Sequence, residues 1–202
     1  MLQHLKPIKR FFDILCSALG LILLSPLLLI LSIIIIMDSK GGIFFRQIRV
    51  GKNNKDFHIF KFRTMLPDSE KKGALTVGNS DSRITKVGRW LRKSKLDELP
   101  QLLNVLLGEM SLVGPRPEVR KYVNLYSEEQ KQVLSVKPGL TDPASIAFSN
   151  ENELLKGTAN PEEFYIERVM PKKISINIRY IQERKFGSDL VILWKTLLKL
   201  LP

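Results

Sequence analysis

The sequence predicts an α+β protein that is mostly helical, and three observations carry that expectation. Ile14–Met37 is an apolar run of 24 residues without a charge, which reads as a membrane-associated helix. Two short segments rich in Phe, Ile and Val, "GIFFRQIRVG" and "DFHIFKFRTM", flank the polar patch "KNNK" and read as a β-hairpin. Helix start and stop signals then recur along the chain, giving a helical domain with amphipathic helices suited to an interface. The expected division is an anchor over residues 1–38 and a second domain over 39–202.

The chain carries 32 Lys and Arg against 20 Asp and Glu, a net charge of +12. So basic a chain meets nucleic acid, anionic lipid or phosphorylated substrates. The apolar run favours lipid, and no nucleic-acid recognition module is present. The single cysteine, Cys16, lies inside that run and excludes a disulfide within the chain. The run is longer than the ~7–15 residues of a signal-peptide core, and no small-residue cleavage site follows it. The segment is therefore expected to be retained.

At 1.5 Å per residue a helix of about 20 residues crosses the hydrocarbon core. Pro26 interrupts the run: it lacks an N–H and its ring crowds the Ile22 carbonyl, so a kink is expected there. The Ser25 hydroxyl is placed to satisfy the backbone group that Pro26 frees. Lys6, Lys9 and Arg10 precede the run, and Lys40, Arg46, Arg49, Lys52 and Lys55 follow it. Positive flanks favour the cytoplasm, and both flanks qualify. Residue chemistry leaves two topologies open, a Pro-kinked span and a re-entrant helix with both ends on one side.

By the two-residue period of a strand, Phe57, Ile59, Lys61 and Arg63 share one face of the second hairpin strand. Lys61 and Arg63 are thus candidates for a common anion site, or a solvated basic edge. Residues 66–83 are polar with scattered Gly and Ser and read as a loop, a candidate lid. Ile84, Val87 and Leu91 mark a short amphipathic helix whose other face carries Lys86, Arg89, Arg92 and Lys93.

In "KLDELPQLLNVLLGEM", Pro100 suits a first helical turn and Gly108 a C-terminal stop, so a helix is expected from about Asp97 to Leu107. Asp97 and Glu98 then read either as a cap with a dipole-matched acid, or as adjacent carboxylates able to hold a divalent metal or to act as nucleophile and base. Their place between Arg92 and Arg116 favours the second. Pro115 and Pro117 stiffen the chain around Arg116, which pre-organises a phosphate contact; a plain surface turn is the alternative. "VKPGLTDPASI" is turn-rich and adds Lys137 and Asp142 as candidates near Gly139. Asn160 caps a further helix with Pro161 at its first position, and Pro171 ends it or starts another that runs to about Arg184. "SDLVILWKTLLKLLP" is too short to span and suits an interface, with Trp194, Lys195 and Lys199. No P-loop, dinucleotide fingerprint, zinc set or serine-hydrolase elbow is present.

In order along the chain, "KRFFDILCSALGLILLSPLLLI", "FFRQIRVGKNNKDFHIFKFRTM", "GRWLRKSKLDELPQLLNVLLGEMSLVGPRPE", "VKPGLTD" and "SDLVILWKTL" resemble the bacterial sugar transferase family. Its members are monotopic polyprenyl-phosphate phosphoglycosyl transferases. The resemblance covers most of the chain, and the block from Leu96 to Glu118 is its most specific part. It implies transfer of a sugar-1-phosphate from a UDP-sugar to undecaprenyl phosphate with release of UMP, on the cytoplasmic face of the bacterial inner membrane. Asp97 matches the family's nucleophile, which forms a phosphosugar-aspartyl intermediate. Glu98 matches the acid associated with Mg2+, and Asp97 and Glu98 together are the expected metal residues. Arg92, Arg116, Lys61 and Asp189 match other polar positions of the family site. Ser25-Pro26 matches the break at which the membrane helix enters the leaflet and returns. Expected partners are the UDP-sugar, undecaprenyl phosphate and membrane phospholipid, with no nucleic acid; a homodimer is compatible with the sequence. Many relatives read "PGITG" where this chain has "PGLTDPASI", a departure that bears on the sugar rather than on the Asp97-Glu98 chemistry. A non-enzymatic membrane-surface adaptor is the competing reading, and it requires Asp97→Asn to be silent.

Overall fold

The computed structural model describes residues 5–67, 69 and 81–200. The anchor is one helix, α1 (Leu5–Asp38), which contains Pro26. It is the one described helix long and apolar enough to cross a membrane. The Ser25 hydroxyl donates to the Ile22 carbonyl at 2.7 Å, the very acceptor that Pro26 cannot serve. The Ser25 hydroxyl thus satisfies the backbone group that Pro26 frees, as the sequence predicts.

The hairpin forms as expected. Strands β1 (Phe44–Val50) and β2 (Asp56–Phe62) pair antiparallel, with Gln47 opposite Ile59. Most of the candidate lid, 66–83, lies outside the described residues. Helix α2 (Lys86–Lys93) follows, with the Thr85 side chain accepting from Gly88 N at 2.9 Å as its N-cap.

The expected helix from Asp97 divides. Leu96–Glu98 form a 3-10 turn, and the regular helix α3 is Gln101–Leu107. Pro100 stands at the N-cap and not inside the first turn, because Leu99 N turns back to Leu96 O three residues away. Gly108 ends α3 with φ +89°, the left-handed stop that the sequence predicts.

Two strands were not legible in the turn-rich segments: β3 (Ser111–Val113) pairs parallel with β4 (Gly139–Thr141). Beyond them come α4 (Arg120–Val123), α5 (Pro143–Ala147), α6 (Glu151–Lys156) and α7 (Pro161–Phe164). A π-helical turn over Tyr165–Val169 joins α7 to α8 (Met170–Glu183), and α9 is Phe186–Leu200. The last helix starts two residues before the expected Ser188. It buries Ile192 and leaves Trp194, Leu197 and Leu198 exposed.

Among the described residues, three clusters form the core. The first packs Phe57 and Ile59 of β2 with Leu102, Val105, Met110, Tyr180 and Ile192, and the α1 side chains Phe12, Cys16 and Leu21 lean on it. The second gathers Leu31 and Ile35 of α1 with Phe62 and Leu91. The third joins Tyr122, Val133 and Tyr165 to α8. Both halves of α1 therefore pack against the rest of the chain.

Polar contacts fix that packing. Arg10 donates to the Val105 and Leu106 carbonyls at the end of α3, at 2.6 and 2.8 Å. Asp13, 3% exposed, accepts from Ser111 Oγ at 2.8 Å and Leu112 N at 3.1 Å. Asn104, fully buried in α3, accepts from Phe60 N at 2.9 Å and donates to His58 O at 2.7 Å. Its amide thus completes the free edge of β2 as a strand would.

Candidate active site

Four segments converge on Glu98. Lys95 adopts a left-handed conformation with φ +58°, which turns the chain out of α2 and into the 3-10 turn bearing Asp97 and Glu98. From β2, Lys61 Nζ donates to Glu98 Oε1 at 2.7 Å. From the Pro-Arg-Pro segment after β3, Arg116 grips both Glu98 oxygens: NH1 donates to Oε2 at 3.1 Å and NH2 to Oε1. From α2, Arg92 Nε donates to Thr64 Oγ1 at 2.9 Å while its charge acts on Asp97.

The Arg116 segment is held from two sides. Arg49 donates to the Pro117 carbonyl at 3.1 Å and to Glu118 Oε1 at 3.3 Å, and Val50 N reaches Glu118 O at 2.9 Å. On the other side Gly139 N donates to Pro115 O at 2.9 Å and Gly114 N to Thr141 O at 3.0 Å. The backbones of Gly114 and Gly139 touch, and a Cβ on Gly139 would stand 2.1 Å from Gly114 N.

The two acids differ in their electrostatics. Burial alone drives both carboxyls up. At Glu98 the Arg116 guanidinium and the Lys61 ammonium outweigh burial and hold it well below the usual carboxylate range. At Asp97 burial wins: the carboxyl is raised, with Lys61 pulling it back and Glu98 pushing it further. Asp97 is 7% exposed, and its Oδ1 is buried without a hydrogen-bond partner. One acid is thus a neutralised anchor point and the other a buried carboxylate with a free oxygen.

The structure brings Lys61, Arg92, Asp97, Glu98 and Arg116 together. It places the other candidates elsewhere. Arg63 lies past the end of β2, where the strand alternation stops, and donates to the Ile35, Ser39 and Lys40 carbonyls at the end of α1. It does not share an anion site with Lys61. Asp142 is fully buried as the N-cap of α5: Oδ1 accepts from Ala144 N at 2.9 Å and Ser145 N at 3.1 Å. Asp189 accepts from Lys9 Nζ and Tyr180 OH, each at 2.6 Å, and ties α9 to α1. Lys137 stands beside Arg10 at the end of α3, where a Cβ on Gly108 would meet Lys137 Nζ at 3.3 Å. Burial lowers its ammonium, with Arg10 adding to the fall. Sequence reasoning missed the supporting roles of Arg49, Thr64, Asn104 and Glu118. Only Asn104 left a signal, as the one amide inside the apolar run "LLNVLL".

Among the described residues, no three Asp, Glu, His or Cys side chains converge to hold a metal ion. The donor set is the acid pair, and its one free buried atom is Asp97 Oδ1. That suits a hard cation such as Mg2+, which takes one or two carboxylates and completes its shell with water and substrate phosphates.

The model of the bacterial sugar transferase family matches residues 4–202. The chain belongs to the bacterial sugar transferase family. It is 38% identical over 193 residues to the UDP-N-acetylgalactosamine-undecaprenyl-phosphate N-acetylgalactosaminephosphotransferase of Aeromonas hydrophila, covering 94% of this chain and 43% of that protein. To the undecaprenyl-phosphate glucose phosphotransferase of Komagataeibacter xylinus it is 37% identical over 196 residues, 94% of this chain and 35% of that one. To the uncharacterized sugar transferase EpsL of Bacillus subtilis it is 37% identical over 195 residues, 96% and 87% of the two chains. The chain thus spans less than half of the first two relatives and most of the third. Its apolar α1 and its family point to membrane association.

Proposed function

We propose that this protein transfers a sugar-1-phosphate from a UDP-sugar to undecaprenyl phosphate, giving UMP and an undecaprenyl-diphosphate-sugar. The observation that carries the reading is the asymmetric acid pair. Asp97 keeps a buried oxygen free beside Glu98, whose charge is already met by Lys61 and Arg116. The names of the relatives from Aeromonas and Komagataeibacter supply the reaction class.

In the first step an Asp97 oxygen attacks the phosphorus that bears the sugar, and the bond to the UMP oxygen breaks. The product is a phosphosugar-aspartyl intermediate with UMP as leaving group. In the second step an oxygen of the acceptor phosphate attacks the same phosphorus and releases the Asp97 carboxylate. Arg92, Arg116 and Lys61 offset the charge that builds on the phosphoryl oxygens. Mg2+, held by Asp97 with Glu98 alongside, would supply further neutralisation of the diphosphate. Splitting the transfer lets a water-soluble donor and a lipid acceptor use one site in turn.

We further read α1 as re-entrant, with both ends on the cytoplasmic face of the inner membrane and the protein monotopic. Two contact sites on α1 support this. Lys9 and Arg10 bind Asp189 and α3, while Ile35 packs on Phe62 and Leu91. These lie about 39 Å apart along a helix path, more than the ~30 Å hydrocarbon core. A polar domain that touches both cannot sit on one side of a perpendicular span.

The test is UMP release by the purified protein with Mg2+, undecaprenyl phosphate and a panel of UDP-sugars. Release is expected with at least one donor and is abolished in Asp97→Asn. Full activity in that variant, or no UMP from any donor, defeats the reading. A membrane adaptor would leave Asp97→Asn silent, and it gives no reason to bury a carboxylate oxygen without a partner.

A further inference from the structure

Among the described residues, four side-chain polar atoms are buried without a hydrogen-bond partner, and two of them belong to one short stretch of chain. One is an acceptor, Asp97 Oδ1. The other is a donor, the amide nitrogen Nε2 of Gln101. Gln101 is 1% exposed, so burial removes its amide from water without supplying an acceptor. An apolar side chain of the same size would fill that place at less cost.

The backbone places this amide under the acid pair. Leu99 (φ −54°, ψ −37°) and Pro100 (φ −61°, ψ −16°) are both right-handed helical, so the 3-10 turn runs on into α3. Gln101 is four residues past Asp97 and three past Glu98, the two spacings that bring helical side chains together. Glu98 and Asn104 stand three residues to either side of it, and both touch β2. Glu98 does so through Lys61, and Asn104 through Phe60 N and His58 O. Gln101 lies between them on the same face. Of the two acids, only Asp97 lacks a donor: Glu98 already accepts from Lys61 and twice from Arg116.

We propose that Gln101 is a positioning residue for the transfer, whose amide donates to Asp97 Oδ1 during the reaction and fixes which carboxylate oxygen attacks. The inference rests on the transferase reading above. Rotation about the Gln101 side-chain bonds brings the two unpaired atoms together, and Oδ2 is left for the phosphorus. Once Oδ2 is bonded to phosphorus, Oδ1 is the carbonyl oxygen of the acyl phosphate and keeps the N–H. When the acceptor phosphate displaces Asp97, the same N–H meets the carboxylate charge as it returns. The amide keeps both its hydrogens throughout. A carboxylate oxygen has two lone pairs, so a cation on one leaves the other for the amide. Gln101 is itself too deeply buried to touch the donor, and it acts through Asp97.

The experiment follows UMP release by the unaltered protein, Gln101→Met and Gln101→Glu, with the UDP-sugar that the unaltered protein uses. It is measured first as a burst without acceptor, then at steady state with undecaprenyl phosphate. Methionine keeps the volume and removes the amide; glutamate keeps the shape and removes the N–H donors. In Gln101→Met the burst rate and kcat are expected to fall about 10-fold or more, with burst amplitude and KM for the donor unchanged. Gln101→Glu is expected to fall at least as far. The thermal midpoint of Gln101→Met should stay level or rise, since the amide removed is buried and unpaired. A merely structural role would lower the burst amplitude with the folded fraction and leave the burst rate as it is, and that result overturns the proposal. A KM that rises while kcat holds would make the amide a donor-binding group and overturns it too, as do unchanged kinetics in folded Gln101→Met. Failure of the transferase reading is distinct: the unaltered protein would then release no UMP from any donor.

Discussion

At the scale of single residues, the acid pair trades stability for chemistry. The Asp97 carboxyl is raised by burial, so its folded form holds a proton more tightly than its unfolded form. Its contribution to stability is full below the unfolded value and is lost as pH rises through the raised folded value. Ionising Asp97 in the folded protein without donor or divalent cation therefore costs stability. Asp97→Asn is expected to abolish UMP release while keeping or raising the thermal midpoint at pH 7, and melting curves from pH 7 towards 4 should show that gain shrinking. Glu98 has the opposite sign. Its carboxyl is held low against burial by Arg116 and Lys61, so its stabilisation is present above the unfolded value and fades as pH falls through the depressed one. Glu98→Gln should lower the midpoint at pH 7, and the deficit should close only at strongly acid pH. A variant whose deficit were constant across that range would place the stabilisation in packing instead of charge.

At the scale of elements, short connections set the position of the reacting groups. Asn104 joins α3 to the edge of β2, and through them it sets Lys61 against Glu98. Asn104→Ala leaves the Phe60 N–H and the His58 carbonyl without their side-chain partner and empties a fully buried site, with a cost of roughly 2–4 kcal/mol expected in urea unfolding. The same substitution should lower kcat more than it raises KM, because it moves a group that acts on the transition state. Gly139→Ala should act on Arg116. The new methyl meets the Gly114 backbone, and neither partner is a side chain that can swing away. Release of UMP is expected to fall by about 100-fold or more, with folding impaired in proportion to the shift of β4. At this scale the sequence was a partial guide. The hairpin, the stop at Gly108 and the capped helices were legible because they depend on neighbours in the chain. Strands β3 and β4 have three residues each and show no period, and the fates of Arg63 and Asp189 depend on contacts made from far along the chain. A cation or an acid in a motif looks the same whether it meets substrate, caps a helix or ties two helices together.

At the scale of the whole molecule, the question is how the protein sits on its membrane. Cysteines placed at His4 and at Lys40, on a Cys16→Ser background, should both be labelled from the cytoplasmic side of cells. Labelling from opposite sides would establish a span and defeat the re-entrant reading. Pro26→Ala restores the N–H that Ser25 now replaces, and it is expected to push some molecules towards a spanning helix. If both cysteines in that variant are still reached only from the cytoplasm, the contacts at Lys9, Arg10 and Ile35 set the topology and Pro26 does not. Those contacts also bear on how the protein can be handled. Because α1 supplies part of two core clusters, it is structural timber as well as a mooring. A chain cut after Asp38 would not be a soluble enzyme released from its tether. It would be a core with one wall missing, baring Phe62, Leu91 and Leu102 to water. Such a fragment should emerge from a gel-filtration column as aggregate, while the full chain in detergent keeps wall and core together.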